Sequence, residues 1–562
     1  MSFNKTGNSA LDAALISWFE SDKSEWTRKE LNDRIAANDI AGLESIMLEH
    51  MEFGTAGLRA RMGAGYACMN DLTVLQAAQG LCRYLQEVNP DVGTQGVVVG
   101  HDHRHHSSDF AKITAAVFMS QNIPVHYYKP LACTPMVPFG VIKFGAAAGV
   151  MVTASHNPKD DNGYKVYWSN GAQIIPPHDS GIAGHILKNQ KPWDGIWESF
   201  PTIEDKIECQ HENVLSDYIT QCTQRSKSMG TEAKNAKITY TAMHGVGTPF
   251  VARIFKSFEH PDFIPCKEQV QPDPEFPTVA FPNPEEGKSA LNLSMAEADR
   301  SGSELILAND PDADRLAVAE KQRNGEWKVF NGNETACLLS WWVYETMKKQ
   351  NPGANPADYA MVASTVSSKY LAAMAKKEGF TFEDTLTGFK WIGNRAIRFT
   401  QEGKKVLFGY EEAIGFMVGV NPPDKDGVHA AAVFGEMMQT LYGQGKKLSE
   451  QLDALYVKYG YFISKDSYFK CSSQDTINAL FKELREPGYP KACGRFGIKN
   501  IRDCTTGFDN RYSDNKSVLP TTADIQMITF YFDNGAVVTM RTSGTEPKIK
   551  YYSELPGPLD EK

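Results

Sequence analysis

The sequence has no run approaching the ~18 consecutive apolar residues of a membrane span, which argues against an integral helical membrane protein. Its ten cysteines are scattered, with no Cys-x-x-Cys pair, so neither a zinc ribbon nor a disulfide framework is indicated. It has no excess of base. The formal net charge is -10 and the isoelectric point near 5.8, which disfavours a nucleic-acid surface. Residues 1–20 lack the apolar core of a secretory signal, being interrupted by Asn4, Lys5, Asn8, Asp12 and Glu20. The tail ends in Leu559-Asp560-Glu561-Lys562, without a retention or lipidation signal. Cytoplasmic residence with reduced cysteines is expected, with neither membrane nor nucleic acid as partner. There is no Gly-x-x-x-x-Gly-Lys-Ser/Thr loop and no Gly-x-Ser-x-Gly elbow, which disfavours a P-loop kinase and a lipase-type hydrolase.

The chain has an ordinary soluble composition, 42% hydrophobic and 22% charged over 562 residues. At ~150 residues per domain, about four domains are expected. Leu11, Ala14, Leu15, Trp18 and Phe19, then Leu31, Ile35, Leu43, Ile46 and Met47, recur at helical spacing. Residues 1–50 therefore read as a helical extension of two or three helices clasping the first domain. From Gly96 a strand–helix rhythm sets in: a strand at Val97-Val98-Val99, a helix over 107–121, a strand over 125–128, a helix over 135–144, then the apolar run 146–152. Residues 176–235 are polar and poorly periodic apart from a helix near 214–222. A second unit starts at Ile238, and its strand 305–308 follows a proline-rich extended loop over 271–286. A third has a helix over 335–347, strands over 361–364 and 406–409, and helices over 430–460. The last ends in a hairpin, with alternation over 527–532 and 537–540 around Asp533-Asn534-Gly535. The expected boundaries are 51–225, 226–325, 326–460 and 461–562. The expected class is α/β, with three units of one mixed-sheet fold and a smaller C-terminal α+β unit around a central cleft.

Each unit delivers one polar loop. The first presents Thr153-Ala154-Ser155-His156-Asn157-Pro158 at a strand end, followed by the turn-prone stretch Lys159 to Lys165. Strand ends are where open α/β sheets bind ligands, although Ser, Asn and Pro also make plain turns. The second delivers Asp310, Asp312 and Asp314. Three alternating carboxylates repel one another unless a hard cation relieves them, and oxygen-only ligands favour Mg²⁺ over zinc; a surface acidic turn is the alternative. The EF-hand pattern fails at Arg315 and Lys321. The third offers Thr387-Gly388-Phe389-Lys390 and Glu411-Glu412, acceptors suited to sugar hydroxyls or simply a solvated turn. The fourth offers Arg541-Thr542-Ser543-Gly544-Thr545 with Lys548, a guanidinium fork, hydroxyls and free backbone N–H groups suited to a phosphate. His101-Asp102-His103-Arg104-His105-His106 lacks zinc-ligand spacing; Asp102 and Arg104 are expected to pair and shape the loop beside Ser155.

These four loops, in this order, resemble the α-D-phosphohexomutases over nearly the whole chain. The resemblance implies a reversible phosphomutase, interconverting sugar 1-phosphate with sugar 5- or 6-phosphate through phosphoserine and a bisphosphate. The substrate would be a phosphorylated pentose or hexose, a sugar bisphosphate would activate, and the chain would be a monomer or weak dimer. Ser155 would carry the phosphoryl group. Mg²⁺ would be held by Asp310, Asp312, Asp314 and a phosphoserine oxygen. Arg59, His156, Lys165 and Arg315 would surround the transferring group, Lys165 taking or giving the hydroxyl proton. Thr387, Lys390, Glu411 and Lys425 would meet the sugar, and Arg541, Ser543, Gly544, Thr545 and Lys548 would clamp the other phosphate. Ala413 replaces the Ser of the hexose phosphoglucomutases, a variant similar to the phosphopentomutase branch, also called the second cytosolic phosphoglucomutase. The lost hydroxyl contact removes roughly 0.5–1.5 kcal/mol, enough to shift a sugar preference. The rivals are a glucose 1,6-bisphosphate synthase using 1,3-bisphosphoglycerate, which looks similar, and a catalytically silent sugar-phosphate-binding protein.

Overall fold

The computed structural model describes residues 6–54, 57–227, 236–286, 288–471, 473–521, 525–542 and 548–557. Ser543, Gly544 and Thr545 lie outside the described residues.

Three helices, Ser9–Ser21, Glu25–Ala36 and Ile40–Met47, open the chain. Asn8 and Asp39 cap the first and third by accepting backbone N–H bonds. Their apolar stripe, Leu11, Leu15, Trp18, Leu31, Leu43 and Met47, closes over Ala64 and Leu72 of the first α/β unit. It is packing, as its helical spacing suggests.

The first sheet takes five strands in the order Gly57–Arg61, Asp161–Trp168, Ala148–Val152, Val97–His101, Val125–Tyr127. The last three run parallel and the first two antiparallel. The second sheet repeats this pattern with Trp327–Phe330, Ala317–Lys321, Leu305–Ala308, Ile238–Thr241 and Ile264–Pro265. Again three strands are parallel and two antiparallel. The third, Thr381–Thr385, Tyr359–Ser364, Lys405–Glu411, Gly415–Val418, keeps the parallel trio and one antiparallel strand. Three units thus share one mixed-sheet fold. The fourth sheet is seven-stranded, and all its pairings are antiparallel. Continuous apolar strands such as Ala148–Val152 and Leu305–Ala308 are buried throughout. This is what a sheet covered by helices on both faces requires. One core cluster runs through the first three units, from Val98 and Tyr240 to Met361 and Met437.

Several expectations need correction. Helix Asp71–Val88 was missed; its Leu72, Leu75, Leu81 and Leu85 are fully buried, each worth about 1.5–3 kcal/mol. Helix His178–Lys188 sits in the stretch read as irregular. The hairpin is not the end of the chain's order: strand Lys548–Gly557 pairs with both Val537–Thr542 and Tyr461–Lys470. The residues after Ser155 are not an extended turn, because Asp161–Trp168 is a strand and Lys165 stands on it. No helix among the described residues is long and apolar enough to cross a membrane.

Candidate active site

Strand Ala148–Val152 delivers Ser155 into a buried position, 3% exposed, not onto a solvated loop. Its backbone is left-handed, φ 53°. For a non-glycine residue that costs about 1–2 kcal/mol. The Thr153 hydroxyl accepts from the Ser155 N–H at 2.9 Å and helps hold the turn. Strain of this kind clusters at functional sites. The neighbouring strand must pass beneath: a Cβ at Gly163 would lie 2.4 Å from the Thr153 carbonyl oxygen, so only glycine fits. Arg104 fixes the loop from the other side. Its guanidinium donates to the carbonyls of Ser155 and Asn157, both at 2.6 Å, Pro158 at 2.8 Å and Asp161 at 3.2 Å. Asp102 faces its Nε at 3.4 Å, the pairing the sequence led us to expect.

The Ser155 hydroxyl donates to Asp310 Oδ2 at 3.0 Å and lies 3.3 Å from His156 Nδ1. Strand Leu305–Ala308 leads into Asp310, Asp312 and Asp314, all 0% exposed, with oxygens within 4.8 Å of one another. They are no surface acidic turn. Lys165 Nζ donates to Asp312 at 2.7 Å and Asp314 at 2.8 Å; Thr134, from the first unit, also donates to Asp312. Lys425 Nζ lies 3.4 Å from Asp314. Burial, then Asp312 and Asp314, pushes the Asp310 carboxyl well above the usual range. Burial also raises Asp312 and Asp314, but the Lys165 ammonium outweighs it and holds both below the usual range. Lys165 in turn sits above its ordinary value, because the two carboxylates outweigh its burial. It carries its proton and is a donor in this state, so its expected role as acceptor needs the ammonium to shed that proton first. Oδ1 of Asp312 and of Asp314 have no hydrogen-bond partner among the described residues. Orphaned buried carboxylate oxygens are costly. The all-oxygen donor set fits a hard divalent cation.

Positive groups act on His156, the residue next to Ser155. Arg59, on the strand beside Gly163, donates to Asn157 Oδ1 at 3.3 Å. Arg315 lies 3.6 Å from Glu285 and 3.9 Å from Asp314. Burial, then Arg315 and Arg59, pushes His156 well below its usual value, so its imidazole is neutral.

The third unit brings Glu411 to the Gly388 N–H, 2.9 Å, and places Thr387 beside it. A Cβ at Gly427 would meet the Arg315 carbonyl oxygen at 2.2 Å, which explains the glycine of Asp424-Lys425-Asp426-Gly427. Asp424 accepts from Tyr167 at 2.8 Å and Gln173 at 2.9 Å of the first unit. The neighbours of Lys390 are instead the Trp391 ring, 5.4 Å away, and the Asp179 carboxylate; the latter only partly offsets the burial that pushes Lys390 down to about 8. In the fourth unit Arg541 Nη2 donates to the Tyr552 hydroxyl at 3.0 Å, and Lys548 Nζ stands 4.7 Å over the Tyr468 ring.

Sequence reasoning missed Thr134, Glu285 and Lys550. Lys550 sits opposite Arg541 in register, and burial, then Arg541, pushes it down. Strand alternation would have put Lys548, Lys550 and Tyr552 on one face. Glu412 accepts from Ser364 at 2.9 Å and Ser367 at 3.2 Å; burial, then Glu411, pushes it up to about 7. The arrangement joins a buried hydroxyl, a cation-seeking triad and a cationic surround. It suits transfer of an anionic group to and from Ser155.

Residues 50–193, 216–325 and 331–459 match, in turn, the models for α/β/α domains I, II and III of phosphoglucomutase/phosphomannomutase. The chain is 50% identical over 566 residues to the phosphopentomutase of Homo sapiens, covering 98% of this chain and 92% of that protein. It is 46% identical to the glucose 1,6-bisphosphate synthase of Homo sapiens, covering 98% and 90%. Among solved structures, parafusin, a phosphoglucomutase from Paramecium in an open form, superposes with a TM-score of 0.65 at 17% identity, covering 92% of this chain and 93% of that one.

Proposed function

The chain belongs to the phosphoglucomutase/phosphomannomutase family and is a sugar phosphomutase, and on that premise we propose that Ser155 is its phosphoryl carrier and a pentose phosphate its preferred substrate. The observation that carries the reading is the meeting of the Ser155 hydroxyl, Asp310, Asp312, Asp314 and Lys165 at one buried point. Sequence spans 51–225, 226–325, 326–460 and 461–562 would then supply the phosphoserine, the metal ligands, the sugar contacts and the phosphate clamp.

In the forward direction the free hydroxyl oxygen of a sugar 1-phosphate attacks phosphorus on phospho-Ser155. The new O–P bond forms as the Ser155 Oγ–P bond breaks, and the hydroxyl proton passes to a base. A sugar bisphosphate results, turns over, and returns its other phosphate to Ser155 Oγ. A free bisphosphate would prime unphosphorylated enzyme. Such transfer is chiefly positioning and charge neutralisation. Arg104 holds the carrier's backbone, while Arg59 and Arg315 face the equatorial oxygens. Neutral His156 neither repels the arginines nor competes for the phosphate. Mg²⁺, held by Asp310, Asp312, Asp314 and a phosphoserine oxygen, would supply Lewis-acid neutralisation of the transferring group. Thr387, Glu411 and Lys425 orient the sugar. Arg541, Lys548 and the loop 543–545 hold the phosphate that stays. Burial of Ser155 keeps water from the phosphoester. Ala413 offers no hydroxyl to a hexose, which supports the pentose preference.

The test is kcat/KM for ribose 1-phosphate and glucose 1-phosphate side by side, with Mg²⁺ and a bisphosphate primer, for the natural protein and Ser155→Ala. Ribose preference in the first and no turnover in the second are expected. Full activity of Ser155→Ala would end the reading. Faster phosphorylation of glucose 1-phosphate from 1,3-bisphosphoglycerate than any mutase rate would identify a bisphosphate synthase.

A further inference from the structure

The fork of Arg104 fixes the Ser155 loop, and the group that seats this fork comes from a different unit. Phe276, in the proline-rich segment of the second unit, lays its ring 5.1 Å from the Arg104 guanidinium carbon. The same ring meets His103 edge-on, centroids 5.3 Å apart. Phe276 is 4% exposed and its backbone is left-handed, φ 46°. A bulky aromatic in that region is a true outlier, and it persists only where surroundings over-determine it. The determinants are visible. The Phe276 N–H donates to the Asp273 carbonyl at 3.2 Å, and the Asp273 N–H to the His244 carbonyl at 2.9 Å. Its neighbour Glu275 reaches across to the first unit, meeting His105 at 2.7 Å and Lys159 at 2.6 Å. These two residues flank the loop, one beside Arg104 and one after Pro158.

We propose that Phe276, pinned by Glu275, is a positioning residue for the reaction: it seats Arg104, and through Arg104 it fixes the angle at which Ser155 meets the phosphorus. The proposal rests on Ser155 being the phosphoryl carrier. Arg104 spends its donors on four backbone carbonyls and touches no reacting atom. Its face is therefore free to take an aromatic partner, as a guanidinium favours. The carrier loop and the acidic triad belong to different units, so their relative placement depends on contacts across that joint. Phe276 and Glu275 make such a contact next to the carrier. A displacement near 1 Å of a reacting group can cost about 100-fold in rate.

The experiment compares Phe276→Ala, Phe276→Leu and Phe276→Tyr by steady-state kinetics under saturating Mg²⁺ and primer. Phe276→Ala should lower kcat by about 10–100-fold with KM within about twofold, the pattern of a lost transition-state alignment. Tyr keeps the ring and should restore most of kcat. Leu keeps the bulk without the ring face and should stay low. Arg104→Lys added to Phe276→Ala should cost little more than either alone, since both act through one contact. Unchanged kcat in Phe276→Ala, a rise in KM alone, or rescue by Leu as complete as by Tyr would overturn the proposal. If Phe276→Ala does not fold, the Leu and Tyr pair decides. Ser155→Ala in the same series separates the two readings: if it is active, the carrier assignment falls and this proposal with it. If it is inactive while Phe276→Ala is unimpaired, this proposal alone falls.

Discussion

Lys165→Met removes one charge and keeps the length of the side chain. In the native protein its ammonium bridges Asp312 and Asp314, both without solvent exposure. After the change Asp314 retains Lys425 at 3.4 Å, whereas Asp312 retains the Thr134 hydroxyl. In the absence of metal Asp312 has two choices. It stays charged and unpaired, which costs about 3–5 kcal/mol for a broken buried pair. Or it takes a proton that the unfolded chain does not hold, which at pH 7 costs about 1.36 × (7 − 3.9), near 4 kcal/mol. The two routes agree on about 4 kcal/mol. At 2–4 °C per kcal/mol for a unit of 150–250 residues, the melting transition should fall by roughly 8–16 °C in chelator. The pH dependence follows from the second route. Native Asp312 and Asp314 are depressed, so their stabilisation is present above the ordinary carboxylate value and is lost only as pH falls below it. Between pH 7 and 5.5 the native protein is therefore flat in this respect. The variant's deficit shrinks over the same window, to about 2 kcal/mol, because the compensating proton becomes cheaper. Millimolar Mg²⁺ should also restore part of the loss, since a cation replaces the missing charge. Calorimetry at both pH values, with and without Mg²⁺, reads all three. A transition within about 2 °C of native at pH 7 in chelator, or a deficit that grows on acidification, would refute the reasoning.

If Arg541 clamps the phosphate that does not react, as proposed, Arg541→Ala should raise KM for the sugar phosphate at least about tenfold with a smaller change in kcat; equal losses in kcat and kcat/KM would place Arg541 at the reacting end instead. Glu412 has its carboxyl raised, so the stability tied to it is present below about 4.5 and lost as pH rises through about 7. Glu412→Gln should flatten that decline in a series of melting curves from pH 4.5 to 8, and an unchanged slope would count against it. Chelation should abolish turnover of the native protein, with recovery on Mg²⁺ but not on Zn²⁺, which prefers nitrogen and sulfur donors; full activity in chelator would remove the triad from the chemistry.

Much of this was legible in sequence because the informative features are local. Strand ends followed by short polar loops mark Ser155, Asp310 and Glu411, and each sits where that pattern puts it. Asp102 and Arg104 could be paired from their spacing alone. The misses have physical causes. Helix Asp71–Val88 carries Leu72, Leu75, Leu81 and Leu85 at helical spacing, but Gln76 and Gln79 sit among its buried positions and look like solvated residues until their partners, the Gln190 and Asn189 carbonyls, are seen. Strand Lys548–Gly557 contains Pro556, which argues against a strand at the centre of a sheet, although the proline falls one residue before the strand's end, opposite Phe462. Lys165 reads as a loop residue because Asp160-Asp161-Asn162-Gly163 has the composition of a turn. That glycine serves the close passage under Thr153 instead. Thr134, Glu275 and Phe276 carry no local signal, since their meaning lies in partners more than a hundred residues away in another unit.

The most direct test of Ser155 as the carrier is label transfer. Purified protein would be incubated with a sugar 1,5- or 1,6-bisphosphate bearing ³²P, digested, and the labelled peptide sequenced. It would then be chased with unlabelled sugar 1-phosphate. Near-stoichiometric label on Ser155, absent from Ser155→Ala and released into both sugar monophosphates at the rate of turnover, is expected. Turnover proceeding with no label on the protein, or with label on another residue, would contradict it.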